Sequence, residues 1–258
     1  MIDLLCAYLR MPFATDERES VLPAGERAVR RTAQGLLAAR IRPYLDPEDH
    51  ERNNPRHWPE LYELNLAGAM LIDFNMSGCR FGPAIFTGAK FIGEAGFRYA
   101  SFPSGVQFDD LVFGDGAEFN RVRFEVDANF MRARSKGYVS FHSVDFATDA
   151  TFDDARFDDF CTFGSVSFGW NAFFRAVRFE EVDFQKASFE RAAWFDKSWF
   201  HGAVDFQKAQ FHARLDLDDS IGSPTATTYL GKRSMWPDGW TLGEAAGPGG
   251  EWRKLVQV

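Results

Sequence analysis

AGFRYASFPSGVQFDDLVFGDGAEFNRVRFEVDANF, residues 95–130, returns one bulky apolar residue every five or six positions: Phe97, Phe102, Phe108, Phe113, Phe119, Phe124 and Phe130. Two positions before each stands a small or medium apolar residue: Ala95, Ala100, Val106, Leu111, Ala117, Val122 and Ala128. Followed outward, the rhythm starts at Leu66, runs in steps of five to Phe91, and continues to Leu217 for 29 such anchors. Ser135 is the single anchor that is not large and apolar. A period of five fits neither the 3.6 of a helix nor an unbroken strand. It fits a short extended segment followed by a tight turn. Side chains two apart point the same way, so anchor and small residue face inward and the residue between them faces out. Closing such segments into a coil stacks identical positions at about 4.8 Å and makes ladders of phenylalanine.

These residues resemble the pentapeptide-repeat family over roughly 150 positions. The resemblance implies an all-β solenoid, a right-handed quadrilateral β-helix with four five-residue faces per coil. Twenty-nine anchors over four faces give about seven coils, a stack about 30 to 35 Å long. Extra residues enter before Phe97, Phe108, Phe119, Phe130 and Phe141, which is every second corner, so the same two opposite corners bulge in each coil. The insertion is skipped before Phe184. At Ser135 a cavity, a bend or a rescue by Tyr138 is expected.

The flanks read as caps. Residues 1–60 form a helical N-terminal cap and connector, 61–220 the β-helix, and 221–258 an irregular Trp-rich C-terminal cap. Residues 1–13 are helix-compatible and stop near Pro12. After an acidic linker at Asp16–Glu19, a second helix from about Ala24 to Arg42 places Val29, Ala33, Leu36, Leu37, Ile41 and Tyr44 on one stripe, with Arg27, Arg30, Arg31, Arg40 and Arg42 as a solvated face off it. A polar connector holding His50 and His57 follows. An open solenoid end exposes apolar ladder and unpaired strand edge, so Trp236, Trp240 and Trp252 of the tail serve as a cover or as a homodimer contact.

The chain has a formal net charge of −8. Residues 61–220 carry 16 basic and 24 acidic side chains, whereas 1–60 carry 9 and 10, so the acidity belongs to the repeats. That sign disfavours direct nucleic-acid binding and favours a basic partner surface. The densest cluster is Asp145, Asp149, Asp153, Asp154, Asp158 and Asp159; with Asp109 and Asp196 it forms the candidate partner-binding acidic surface. Cys6, Cys79 and Cys161 show no disulfide or metal spacing, and a reducing cytoplasmic compartment fits them. No run approaches a membrane span and no secretory signal is read. His201 and His212, eleven residues apart, fall on opposite sides of a coil. No phosphate-loop, dinucleotide, zinc-protease or nucleophile motif occurs, so no catalytic, cofactor-binding or metal residue is assigned and no enzyme is expected.

Members of the family that confer quinolone resistance bind DNA gyrase by imitating the shape and charge of duplex DNA. The resemblance therefore implies a non-catalytic interaction scaffold, with a type II topoisomerase as its expected protein partner. Residues 1–13 also look like the end of the helical region that precedes the repeats in larger actinobacterial members, some of them membrane-anchored. The alternative is then the soluble part of an assembly or signalling protein. An enzyme with a pocket at the N-terminal cap has no supporting constellation.

Overall fold

In the computed structural model, residues 1–12, 24–46, 48, 51–59, 62–222, 234–246 and 252–258 are described. The Asp16–Glu19 linker and His50 lie outside them. Residues 64–222 wind into a β-solenoid of about seven coils with four faces. The first face is an eight-stranded parallel sheet, from Leu64–Asn65 through Ala128–Asn129 to Leu215–Asp216. The second runs from Met70–Ile72 through Arg134–Ser135 to Ile221–Gly222. The third includes Ala117–Glu118 and Val204–Asp205, and the fourth runs from Ser101–Phe102 to Gln210–Phe211. One coil advances the register by 22 residues in the central stack, as in Ala128 beside Ala150.

Each face is too short to be stable as a sheet, and its anchors supply what the strands lack. Phe97, Phe119, Phe141, Phe163, Phe184 and Phe206 stack on the third face with centroids 4.8 to 4.9 Å apart and planes within 10°. Neighbouring ladders meet edge to face, as Phe108 does Phe119 at 5.7 Å and 78°. Both geometries set a positive ring edge against a negative ring face or offset two faces, adding about 0.5 to 1.5 kcal/mol per pair beyond burial.

The corners differ as the five-and-six stepping predicts. After the first and third faces, the residue two past the anchor takes a left-handed conformation, as in Arg132 (φ 56°) and Arg121 (φ 59°). The next N–H closes the turn onto the anchor carbonyl: Ala133 donates to Phe130 at 3.0 Å and Val122 to Phe119 at 3.1 Å. After the second and fourth faces the extra residue bulges the corner. Gly116 is required at one of these, because a Cβ there would lie 2.3 Å from the carbonyl oxygen of Tyr138 and its φ is 126°. Where the insertion before Phe184 is missing, the strand Arg178–Asp183 crosses the corner unbroken beside Arg156–Thr162. The register then shifts between Phe157 and Phe160, so Asp158 and Asp159 occupy a bulge.

Ser135 is buried, in register between Phe113 and Phe157, and its hydroxyl donates to the Gly137 carbonyl at 2.7 Å. Tyr138 does not fill the slot. It is 41% exposed and stacks outside on Phe160 at 5.8 Å. The ladder relaxes beside the gap instead, with Phe91 and Phe113 tilted by 34°. Ser135→Leu restores the missing apolar rung at the loss of one hydroxyl donor, and burial of a leucine, about 1.5 to 3 kcal/mol, exceeds a hydrogen bond of about 1 kcal/mol. The thermal midpoint should rise; a fall would show that the hydroxyl tie holds the corner.

The N-terminal cap is α1 (Ile2–Arg10) and α2 (Ala24–Ile41). Its buried stripe is rotated from the one the apolar pattern suggests. Val29 and Leu36 are exposed at 52% and 44%, whereas Arg30 and Gln34 are buried beside Ala33, Leu37, Ala38 and Ile41. The reason is the strand edge that α2 covers, whose N–H and C=O groups need polar partners. Gln34 Nε2 donates to the Ile72 carbonyl at 2.7 Å, and the Ile72 N–H donates to Gln34 Oε1 at 2.9 Å, so one side-chain amide replaces a strand. Arg30 donates to the carbonyls of Leu9, Met11 and Met70 and pairs with Glu26. Arg30 is therefore a buried clamp and not part of a solvated face.

At the other end the tail is more regular than its composition implies. Trp252–Gln257 pairs antiparallel with Ile221–Gly222, extending the second face, and Trp240–Ala246 pairs with it in turn. Met235 accepts from the Phe206 N–H and donates to the Val204 carbonyl, both at 2.8 Å, closing the edge of the third face.

Candidate interaction surface

The core offers no chemistry to a ligand. Cys6, Cys79 and Cys161 are buried and free, and burial pushes their thiols up, to about 11 for Cys6 and about 12 for Cys79. Thiolates, the reactive form, are thereby suppressed. The outward slots carry most of the charged side chains, which the coil repeat sorts into columns.

The acidic residues do not form one surface. Asp145 lies on the fourth face, 3.6 Å from Arg123. Asp149, in the corner after it, accepts from the Asn171 backbone and amide at 3.0 and 3.2 Å. Asp109, Asp153 and Asp196 share the column just past the first-face anchors. Asp109 accepts from the Thr87 hydroxyl at 2.8 Å, and Asp153 is buried under Arg175, whose Nε lies 2.9 Å away. Asp196 has its carboxyl raised by burial and by Asp216. Asp154 is an exposed corner residue, Asp158 pairs with Arg156, and Asp159 accepts from the Phe160 N–H. These eight aspartates are spread over the fourth face and the corners that follow the fourth, first and second faces, and most are engaged locally. Trp236 packs edge-on to Phe200 at 5.4 Å, and Trp240 is half-buried beside it; the Trp252 side chain lies outside the described set. His201 follows the second-face strand and His212 the fourth, where it sits 3.7 Å from Glu190. Among the described residues, no group of His, Cys, Asp or Glu could hold a metal ion, and no helix is long and apolar enough to cross a membrane.

Two columns show charge that anchor spacing alone did not reveal. On the third face Asp183 stands in register with Asp205. Burial, then Asp205, raises its carboxyl above the usual range against the hydrogen bonds from Gln185 and Thr162. A raised carboxylate binds its proton more tightly when folded, so this contribution to stability is present in acid and disappears as pH rises through the folded pKa. Asp183→Asn should therefore raise the thermal midpoint at pH 7, with the gain shrinking as pH falls into the ordinary carboxylate range. A gain independent of pH would contradict the burial account.

On the second face the outward residues of three consecutive coils are Arg134, Arg156 and Arg178, in strand register, followed by Trp199. Arg178 lies over the Trp199 ring at 5.4 Å. The signal was present in the sequence as arginines spaced by 22 in the slot before each anchor, and it becomes visible once the faces are assigned.

The comparisons agree with this architecture. The family model for pentapeptide repeats (9 copies) matches residues 77–123 and 174–221. No curated protein matches the chain. The residues between the two matched blocks keep the same four faces and 22-residue register across Ser135. With four-faced coils from Leu64 to Gly222, bulky apolar anchors interrupted at Ser135 and mostly small inward partners, the chain is a pentapeptide-repeat protein.

Proposed function

We propose that the chain is a non-catalytic scaffold that binds a protein partner through the outward columns of its β-helix. The observation that carries this reading is the constancy of those columns. Strand register fixes exposed side chains at one coil spacing on rigid faces, while the inward slots are spent on packing. Repeat solenoids commonly use such extended surfaces for recognition. Four variants, each with three exposed residues of one face replaced, would be used as bait beside the wild type, after circular dichroism shows that their fold is intact. Capture of a partner should be lost in one variant and kept in the others. Capture indifferent to all four would remove the reading.

A type II topoisomerase is the more specific partner we propose, favoured by the net charge of −8 and by the excess of acidic over basic side chains in the repeats. A supercoiling assay with purified gyrase, with and without a quinolone, should show inhibition or protection. No effect at micromolar protein, together with no gyrase in a pull-down, would dispose of it.

A further inference from the structure

We propose that the second face docks an acidic helix of a protein partner along the ladder Arg134, Arg156 and Arg178, with Lys197 and Trp199 completing the site; this rests on the scaffold reading and names its surface. At four places on the stack, charges in adjacent coils meet opposite charges, whereas Asp183 and Asp205 form one in-register pair of like charge. Arg123 faces Asp145 at 3.6 Å, Arg132 faces Asp110 at 2.7 Å, Arg175 meets Asp153, and Arg98 approaches Glu118 at 3.8 Å. Such cross-strand pairing stabilises a sheet, and like charges set directly opposite destabilise it. The arginine ladder breaks this pattern for three consecutive coils. Arg156 is partly offset by Asp158 alongside it, yet each arginine still has another in register above or below it. Apart from the exposed Arg156–Asp158 pair and the Arg178–Trp199 contact, stacking three like charges works against folding, whereas an anionic partner gains from it.

A shallow groove of about 380 Å³ runs beside the ladder. It opens where Ala176 occupies the corner position held by Arg132, Asp154 and Lys197 in neighbouring coils. Asp154 is the one acidic residue lining it, against three arginines and Lys197. The local sign is therefore positive on a chain that is negative overall.

Spacing selects the occupant. The ladder presents one arginine about every 4.8 Å along the stack. A helix rises 1.5 Å per residue, so acidic residues at i, i+3 and i+7 lie at about 0, 4.5 and 10.5 Å along one side, close to the rungs at about 0, 4.8 and 9.6 Å. An extended chain presents same-side residues about 6.8 Å apart and loses step at once. A nucleic-acid backbone would also bring its charge against Asp154 and Asp158, which flank this narrow strip. Trp199, half-buried at the end of the ladder, offers the helix an apolar contact.

The probe is a fluorescent alanine-based helical peptide with glutamates at i, i+3 and i+7, titrated by anisotropy against the full chain. We expect the triple variant R134Q/R156Q/R178Q to bind about tenfold or more weakly than wild type, and the control R98Q/R123Q to stay within about twofold, with affinity falling as salt rises. The triple variant should keep its thermal midpoint, because relief of the like-charge stacking offsets the loss of the exposed Arg156–Asp158 pair and of the Arg178–Trp199 contact. Equal binding by the triple variant, equal binding of a proline-broken peptide of the same composition, or tighter ladder-dependent binding of a DNA oligonucleotide would each overturn the proposal. A lowered midpoint would make the ladder structural and overturn it too. The titration needs no natural partner, so its failure is separate from that of the scaffold: partner capture lost only on another face would keep the scaffold and remove this surface.

Discussion

Phe130→Ala should lower the free energy of unfolding by about 3 to 5 kcal/mol. The ring is buried and stacked between Phe108 and Phe152 at 4.9 Å on either side. It also meets Phe119, Phe124 and Phe141 edge-on at 5.3 to 5.9 Å. Strand spacing in the stack is fixed by backbone hydrogen bonds, so the neighbours cannot close on the void, and a cavity term adds to the lost burial. For a chain of this size the thermal midpoint should fall by roughly 8 to 15 °C. Coils in a solenoid touch only their neighbours, so a weakened central coil should also reduce coupling between the two ends and broaden the transition. Phe211→Ala, in the last coil and only half-buried, should cost distinctly less. Equal losses at both positions in urea unfolding would mean that the ladder is not the source of stability.

Gln34→Leu should cost about 2 to 5 kcal/mol although it makes the cap more apolar. The substitution leaves the N–H and C=O of Ile72 buried without the partners that Gln34 supplies, and each unsatisfied group costs about 1 to 3 kcal/mol. Gln34→Glu keeps one acceptor and loses the donor, so it should fall between. The exchange of the Ile72 amide hydrogen reports the event directly, with protection lost before that of Phe130. If Gln34→Leu were neutral, the cap would act by apolar contact alone, and the edge-pairing account of α2 would fail.

The two ends of the chain show why the stack was readable in advance and the caps less so. Anchors such as Phe119 and small partners such as Ala117 sit where the period puts them, because a repeated slot imposes the same constraint many times. The insertion corners followed from counting for the same reason. The α2 stripe was misplaced because apolar periodicity ranks Val29 and Leu36 above Arg30 and Gln34, whereas the surface being covered is a row of backbone polar groups. No helix pattern carries that requirement; it exists only once the strand edge is in place. The tail hides its strands likewise, since Trp252–Gln257 is a strand through its pairing with Ile221–Gly222. The aspartate cluster is dense in sequence because neighbouring residues there lie on successive faces. Asp153, Asp154, Asp158 and Asp159 point around the coil, whereas Arg134, Arg156 and Arg178, far apart in the chain, are neighbours.

Register carries the whole account, from the ladders to the outward columns, and a disulfide can measure it. Gln107 and Asn129 are in-register partners on the first face, about one strand spacing apart and within the Cα range a disulfide tolerates. Thr151 lies one coil further on. Under mild oxidation, Q107C/N129C should close to a disulfide in the folded monomer, while Q107C/T151C should remain reduced; the three native cysteines are buried and should not interfere. Equal crosslinking of both pairs, or crosslinking of the distant pair alone, would contradict the four-faced coil and the columns it creates.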